Sequence, residues 1–570
     1  MKKITSTIGA LGLLAVMGNA VSAADYVNSP PLRNVVNTSV SDCRSQSTLK
    51  VPMIAWGGDI PTLVANGNSL NTESDSLFEL VNINANLTRK DVFSEQVSDY
   101  LSCTSPFLRG TQGMLNMAAD LTETDPRTKM IAIYQLSWSN GGDALVVKGG
   151  IKSPADLKGK TIALQAYGPH VEYLTTILDD AKLSVNDVTI KWTKELTGES
   201  SSPPSAFAED SEIDAAFMII PDALAMTSGG TVGTGAEGSV SGARIMLSTK
   251  TLNRLISDVY VVRKDYFDAN KEQVQNFVHG LMLAEESTRE TLKVGGTPAD
   301  TIYATASKHL LGVTGDIAGA TGLWLDAETT GFRGNTKWVS ATEPRSWLGV
   351  NNDTQPMLVN LGLMSKTYTL AHAGWDYDVF KDGLNDTAGV EKPKFNEAEL
   401  DRTIDKMDKT GQLSDASLFE FQIYFEPNQT NFDPLKYEDD FKRVIGLASK
   451  YGGAVITIEG HSDPLGYLKK QQDGESQLVL KRARQAARNL SMSRSIAVQD
   501  SVIRYANSLG INMDPSQFAT LGKGINDPST GNTCNGPCAP KTESEWKSNM
   551  RVVFRIVRVE AEESVFTPLN

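Results

Sequence analysis

An alternating run, Ala454 to Ile458, breaks into Gly460-His461-Ser462-Asp463 just before Pro464. Such a turn puts a carboxylate at the end of a buried strand. There it either caps the next helix through free backbone N–H groups or stands as a fixed anion for a ligand. His461 reads as a packed or hydrogen-bonded turn residue, not a catalyst. In the first half of the chain, four polar turns carry the reactive side chains. Ala55-Trp56-Gly57-Gly58-Asp59 follows a strand-like run, and its glycines let backbone approach a ligand. Pro106-Phe107-Leu108-Arg109-Gly110-Thr111 adds a cation and a hydroxyl ahead of a helical stretch. Ser137-Trp138-Ser139-Asn140 and Gln165-Ala166-Tyr167-Gly168-Pro169-His170 complete the set. Each has a plainer reading: Gly57-Gly58-Asp59 as a turn, Trp138 as packing, Arg109 as solvated surface. His170 and Glu172 make a candidate acid/base pair. The chain has five histidines. It has no Gly-x-Ser-x-Gly turn, no His-Glu-x-x-His helix and no phosphate loop. It therefore reads as a non-enzyme, with no metal ligands and no cofactor.

These turns need strands and helices to hold them. Strand-like runs fall at Leu49–Ala55, Met130–Tyr134, Ala144–Val147, Thr161–Gln165, Ala215–Ile220 and Val259–Arg263, with amphipathic stretches such as Glu172–Asp180 and Lys271–Arg289 between them. That alternation predicts an α/β domain. Residues 376–417 turn polar and charged, contain a helix candidate from Asn396 to Lys409, and read as a linker. A second α/β pattern follows: strand Leu418–Phe425, helix Tyr437–Lys450, strand Ala454–Ile458, a long helix at about 476–509, and strands Gln517–Leu521 and Arg551–Val557.

At 570 residues, with 40% hydrophobic and 21% charged residues, the chain is expected to form two or three globular domains. Its net charge of -14 argues against nucleic acid and against an anionic membrane surface. Lys2 and Lys3, an apolar run from Ile8 to Ala20, and Val21-Ser22-Ala23 read as a signal peptide cut after Ala23, so an exported chain is expected. Four cysteines in such a chain fit two disulfides. Cys534 with Cys538 would close a short loop and Cys43 with Cys103 a longer one; a metal site is the alternative reading.

The second pattern resembles the OmpA-like peptidoglycan-binding domain over 418–560, leaving 561–570 as a tail. The resemblance is carried by Tyr424-Phe425-x-x-Asn428, Glu459-Gly460-His461-Ser462-Asp463, Asn489-Leu490-Ser491-x-x-Arg494, Gly522-Lys523-Gly524 and Asn549-x-Arg551-Val552. It implies that Asp463 takes the ammonium and Arg494 the carboxylate of a peptidoglycan stem, with Asn489, Asn549 and Arg551 around them. A guanidinium fork suits a carboxylate. Asp463 and Arg494 lie 31 positions apart, about twice the family's interval, with an insertion at 465–488. A second alignment puts Arg482 in place of Arg494.

Within an expected domain of 24–375, residues from about 48 to 375 are similar to periplasmic solute-binding proteins of ABC importers, in the nitrate, sulfonate, taurine and thiamine-precursor group. The similarity is carried by Ala144-Leu145-Val146-Val147 with Ile151 to Ala163, by Ile213-Asp214-Ala215-Ala216-Phe217, and by Val261-x-Arg263-Lys264-Asp265-Tyr266-Phe267. It implies two α/β lobes closing on a cleft, with Ala144–Ala163 crossing between them, and an ABC permease as partner. The cleft would be lined by Trp56, Gly57, Gly58, Asp59, Arg109, Thr111, Ser137, Trp138, Tyr167 and His170. Arg109, His170 and helix N-termini point to a small anion as ligand. The full expectation is a periplasmic receptor held on peptidoglycan. The alternative is a wall-bound scaffold whose solute-binding domain is degenerate.

Overall fold

A computed structural model describes residues 25–198, 200–236, 238–388, 393–430, 432–559 and 565. The expected signal peptide and most of the expected tail lie outside them. Three sheets organise the chain. In the first lobe the order is Ala327–Thr329, Met130–Ser139, Ser257–Arg263, Phe107–Thr111, all antiparallel neighbours, with Ala371–His372 also paired to Met130–Ser139. A parallel pair, Leu49–Met53 with Ala85–Arg89, belongs to the same lobe. In the second lobe the order is Thr189–Thr193, Thr161–Gln165, Ala215–Ile219, Asp143–Val147, Arg244–Ser248.

The strand Met130–Ser139 is buried along its whole length, which is why it reads as a near-continuous apolar run. It passes through Asn140-Gly141-Gly142 straight into Asp143–Val147 of the other sheet. Gly141 has φ 119°, a value that L side chains resist. A second crossing runs from Arg244–Ser248 to Ser257–Arg263. The stretch expected to cross, Ala144–Ala163, does not: Asp143–Val147 and Thr161–Gln165 lie in one sheet, joined through the turn Pro154–Leu157. Two apolar strands and a short turn look the same to sequence whether or not they change sheets.

The C-terminal sheet has the order Ser417–Tyr424, Arg551–Val557, Val455–His461, Phe518–Gly524, with the last pair parallel. The long helix Gln477–Ser508 packs across Val455–His461 and Phe518–Gly524. The stretch expected as a linker is built into this core. Asn396 caps its helix by accepting the Glu399 N–H, and Gly411, at φ 77°, ends it. Leu400, Ile404 and Met407 form a buried stripe against Val455, Ala519 and Val557. Each such side chain contributes about 1.5–3 kcal/mol. Upstream, Phe380 is buried beside Trp375 and Tyr377.

The C-terminal domain is docked on the second lobe. Lys450 Nζ lies 2.5 Å from Asp180 at the end of helix His170–Asp180, and Val444, Ile445 and Tyr451 share a core with Leu174, Ile177 and Leu178. The Gly453 N–H donates to Thr251 O at 3.0 Å, and a Cβ at Gly453 would lie 1.8 Å from Lys250 O. Cys43–Cys103 and Cys534–Cys538 are bonded, with Cα atoms 5.4 and 5.2 Å apart. No helix of the described residues is long and apolar enough to cross a membrane.

Candidate functional site

The polar turns of the two lobes do come together, but largely onto one another. Trp56 Nε1 donates to Ser137 Oγ at 2.9 Å, and its ring lies where a Cβ on Gly142 would be. Gly57 is needed for packing: a Cβ there would lie 1.9 Å from Leu323 O of the helix above. Arg109, expected as the cation for an anion, is fully buried between two carboxylates, Asp59 at 2.6 Å and Asp258. Burial pushes Asp59 up to about 7, against the pull of Arg109. Both carboxylates are bonded to it, so Arg109 offers no free positive charge. Thr111 caps helix Gln112–Thr122 by accepting the Met114 N–H. Trp138 packs under the Arg254 guanidinium at 5.9 Å.

His170 is buried and bonds Asp143 at 2.8 Å, and Asp143 also accepts from Ser139 Oγ at 2.7 Å. Tyr167, in the left-handed region at φ 59°, donates its hydroxyl to Pro30 O. The His170–Glu172 acid/base pair does not form, because side chains two positions apart on a helix do not face each other. Glu172 reaches the other lobe instead. Its carboxylate accepts the Gly113 N–H and the Thr354 hydroxyl, both at 2.9 Å, and burial pushes it up to about 7. The first turn of helix Gln112–Thr122, a ready anion site, thus holds a carboxylate of the chain itself. Helix Trp347–Asn360 reinforces this closure: Gln112 donates to Trp347 O and Asn351, and Gln355 donates to Asn116. Sequence reasoning missed Asp143, Asp258 and Thr354. Only Asp143, directly after a Gly-Gly hinge, carried a local signal.

Beside the first-lobe sheet lies a cavity of 430 Å³. Trp138, Trp338, Arg254 and Lys337 face Ile445, Met513 and Asp514 of the C-terminal domain across it. Arg254 is held by Glu328 in a two-bond fork.

At the end of the C-terminal sheet a second group converges. Asp463, half-buried, accepts the Asn549 amide at 2.9 Å and the Leu465 N–H at 2.8 Å; burial raises its pKa against these bonds. Arg494 is 1% exposed. It donates to Gln429 O, His461 O and Glu426 O at 2.9, 3.0 and 3.2 Å and lies 5.1 Å from the Phe425 ring. With no carboxylate beside it among the described residues, burial pulls it down to about 10. Arg551 donates one N–H to Asp527 O, while its Nε and Nη1 are buried without partners. His461 Nδ1 donates to the same carbonyl at 2.9 Å; its Nε2 has no partner, and burial keeps the ring neutral. Asn489 is exposed and bonded to Gln485, and Arg482 is exposed on the same helix. The structure therefore gathers Asp463, Asn549, Arg494 and Arg551, and shows no contact of Asn489 with them.

Residues 117–288 match the family model described as NMT1/THI5 like. That span takes in both crossings and the whole second-lobe sheet. Among solved structures, the alkanesulfonate-binding protein SsuA from Xanthomonas axonopodis pv. citri, bound to MOPS, is 13% identical with a TM-score of 0.39, covering 56% of this chain and 95% of that one. The periplasmic aliphatic sulphonate-binding protein SsuA from Escherichia coli is 14% identical at TM-score 0.39, covering 61% and 99%. The desulfurization enzyme DszB is 15% identical at TM-score 0.34, covering 57% and 95%. No curated protein matches the sequence.

Proposed function

We propose that this protein is a periplasmic solute receptor for an ABC-type importer, tethered to peptidoglycan by an OmpA-like C-terminal domain. Support for the receptor half comes from the NMT1/THI5-like match across both crossings and the second lobe. The tether rests on one observation above the others: a buried guanidinium, Arg494, has no carboxylate of its own and bonds the carbonyl of His461, two positions before the fixed carboxylate of Asp463. A stem amino acid with an ammonium and a carboxylate on one carbon supplies the missing partner to each. Three of the five guanidinium N–H groups of Arg494 bond backbone carbonyls, so two remain for a ligand.

Retention on purified peptidoglycan sacculi tests the tether. Asp463→Ala is expected to lower retention at least about tenfold, the scale of one lost charge-assisted hydrogen bond, with the melting temperature little changed. Retention equal to wild type would remove Asp463 from the site.

A second reading, a wall-bound scaffold with a degenerate solute-binding domain, is favoured by the Glu172 carboxylate on the Gly113 N–H. An anionic solute must displace that carboxylate or enter the 430 Å³ cavity, where Arg254, Arg333, Lys337 and Arg345 stand. Native mass spectrometry of protein from its own host separates the two readings. A small bound mass supports the receptor; an empty spectrum, with no thermal shift on adding nitrate, sulfonates or amino acids, supports the scaffold.

A further inference from the structure

Residues 465–488 fold as a hairpin of helix Leu465–Gln472 and the start of helix Gln477–Ser508, closed on a small core of Tyr467, Leu480 and Ile525. The chain carries -14 overall. This stretch carries six cations, Lys469, Lys470, Lys481, Arg482, Arg484 and Arg488, against two anions, Asp473 and Glu475. All six are exposed. None makes an ion pair among the described residues; Arg484 donates to the Tyr467 hydroxyl at 2.8 Å and covers its ring. Lys481, Arg484 and Arg488 sit at i, i+3 and i+7, so they share one helix face. Like charges at that spacing weaken a helix unless an anion lies along them.

The hairpin begins where the Asp463 site ends. The Leu465 N–H bonds Asp463, Ser462 Oγ donates to Ala487 O at 3.0 Å, and the Gly524 backbone packs against Arg488. We propose that this basic face is a second, electrostatic contact with peptidoglycan. It lies along the carboxylates of stem peptides neighbouring the one gripped at Asp463 and Arg494. The inference rests on the tether reading above and adds the part of the polymer that is bound. Exposed contacts of this kind are screened by salt over a Debye length of about 8 Å at physiological ionic strength, whereas the half-buried Asp463 site is screened less.

The test is sacculus retention of the full exported chain from 50 to 400 mM NaCl, beside Lys470→Gln/Lys481→Gln/Arg482→Gln/Arg488→Gln. These four make no side-chain bonds, and glutamine keeps helix propensity, so the variant should melt like wild type. Wild-type retention should fall with salt. The variant should bind about ten- to twentyfold more weakly at 50 mM, about a factor of two per exposed cation, with a flatter salt dependence. Equal retention and equal salt slope would overturn the proposal and leave the tether standing. No retention of wild type at any salt would remove the tether, and the proposal with it. Capture on phosphatidylglycerol vesicles that depends on the four cations, with sacculus retention unchanged, would also overturn it and assign the hairpin to a lipid surface.

Discussion

Glu172 shows how much at the residue scale depends on contacts that sequence does not display. A glutamate on the first turn of its own helix is the ordinary place for a negative charge. This one crosses to the N-terminus of helix Gln112–Thr122, in the other lobe. Its pKa is raised, from 4.5 to about 7, with burial the cause. The folded state therefore holds the proton more tightly than the unfolded chain. The stabilisation is fully present below about pH 4.5 and is lost as pH rises through about 7. Glu172→Gln removes this dependence while keeping both bonds, because the Thr354 hydroxyl can turn to accept. Thermal melts from pH 4 to 8 should show wild type losing ground to the glutamine variant as pH rises. Other buried carboxylates, Asp59 among them, are common to both proteins and cancel. A constant gap across that range would place Glu172 outside the titration. The four polar turns were readable because glycine and polar residues after strand-like runs are local signals. Their partners were not: Arg109 and Asp258 are 149 positions apart.

At the scale of elements, period alone located most of the secondary structure. Thr161–Gln165 and Arg551–Val557 have the expected bounds, and the strands at 130, 215 and 455 differ only at their ends. The connector was misread for a reason visible in its composition. Its helix is rich in charge, so mean polarity hides the narrow stripe of Leu400, Ile404 and Met407 that faces the sheet. Ile404→Ala measures the difference. A core position loses about 2–5 kcal/mol on such truncation, from lost transfer energy and the cavity left behind. A solvated linker loses within about 0.5 kcal/mol. Urea melts followed in the C-terminal domain should give the larger value; the smaller would return the segment to the role of a tether.

For the whole molecule, the decisive contact is the close approach at Gly453. Backbone meets backbone there, so neither side can yield by rotating a side chain. Gly453→Ala should weaken docking by about 1–3 kcal/mol, the usual penalty for overpacking. Calorimetry should show the C-terminal domain melting apart from the lobes, where wild type melts as one unit. An unchanged thermogram would mean that Lys450, Tyr451 and Arg558, which donates to Ile245 O and Met246 O, hold the domain without it. Sequence reading supplied two domains but no relation between them, because the contact is made by a glycine that carries no pattern of its own.

That same contact sets a path for mechanical load. The C-terminal domain holds Lys250, Thr251 and Arg254 by their backbones, and all three lie in the segment joining Arg244–Ser248 to Ser257–Arg263. Under the proposed grip of peptidoglycan on Asp463 and Arg494, a pull between wall and body would enter through the docked face, with Gly453 bearing on this crossing. The second lobe would then stay with the wall, and the first lobe would be the part that moves once the Glu172 closure opens.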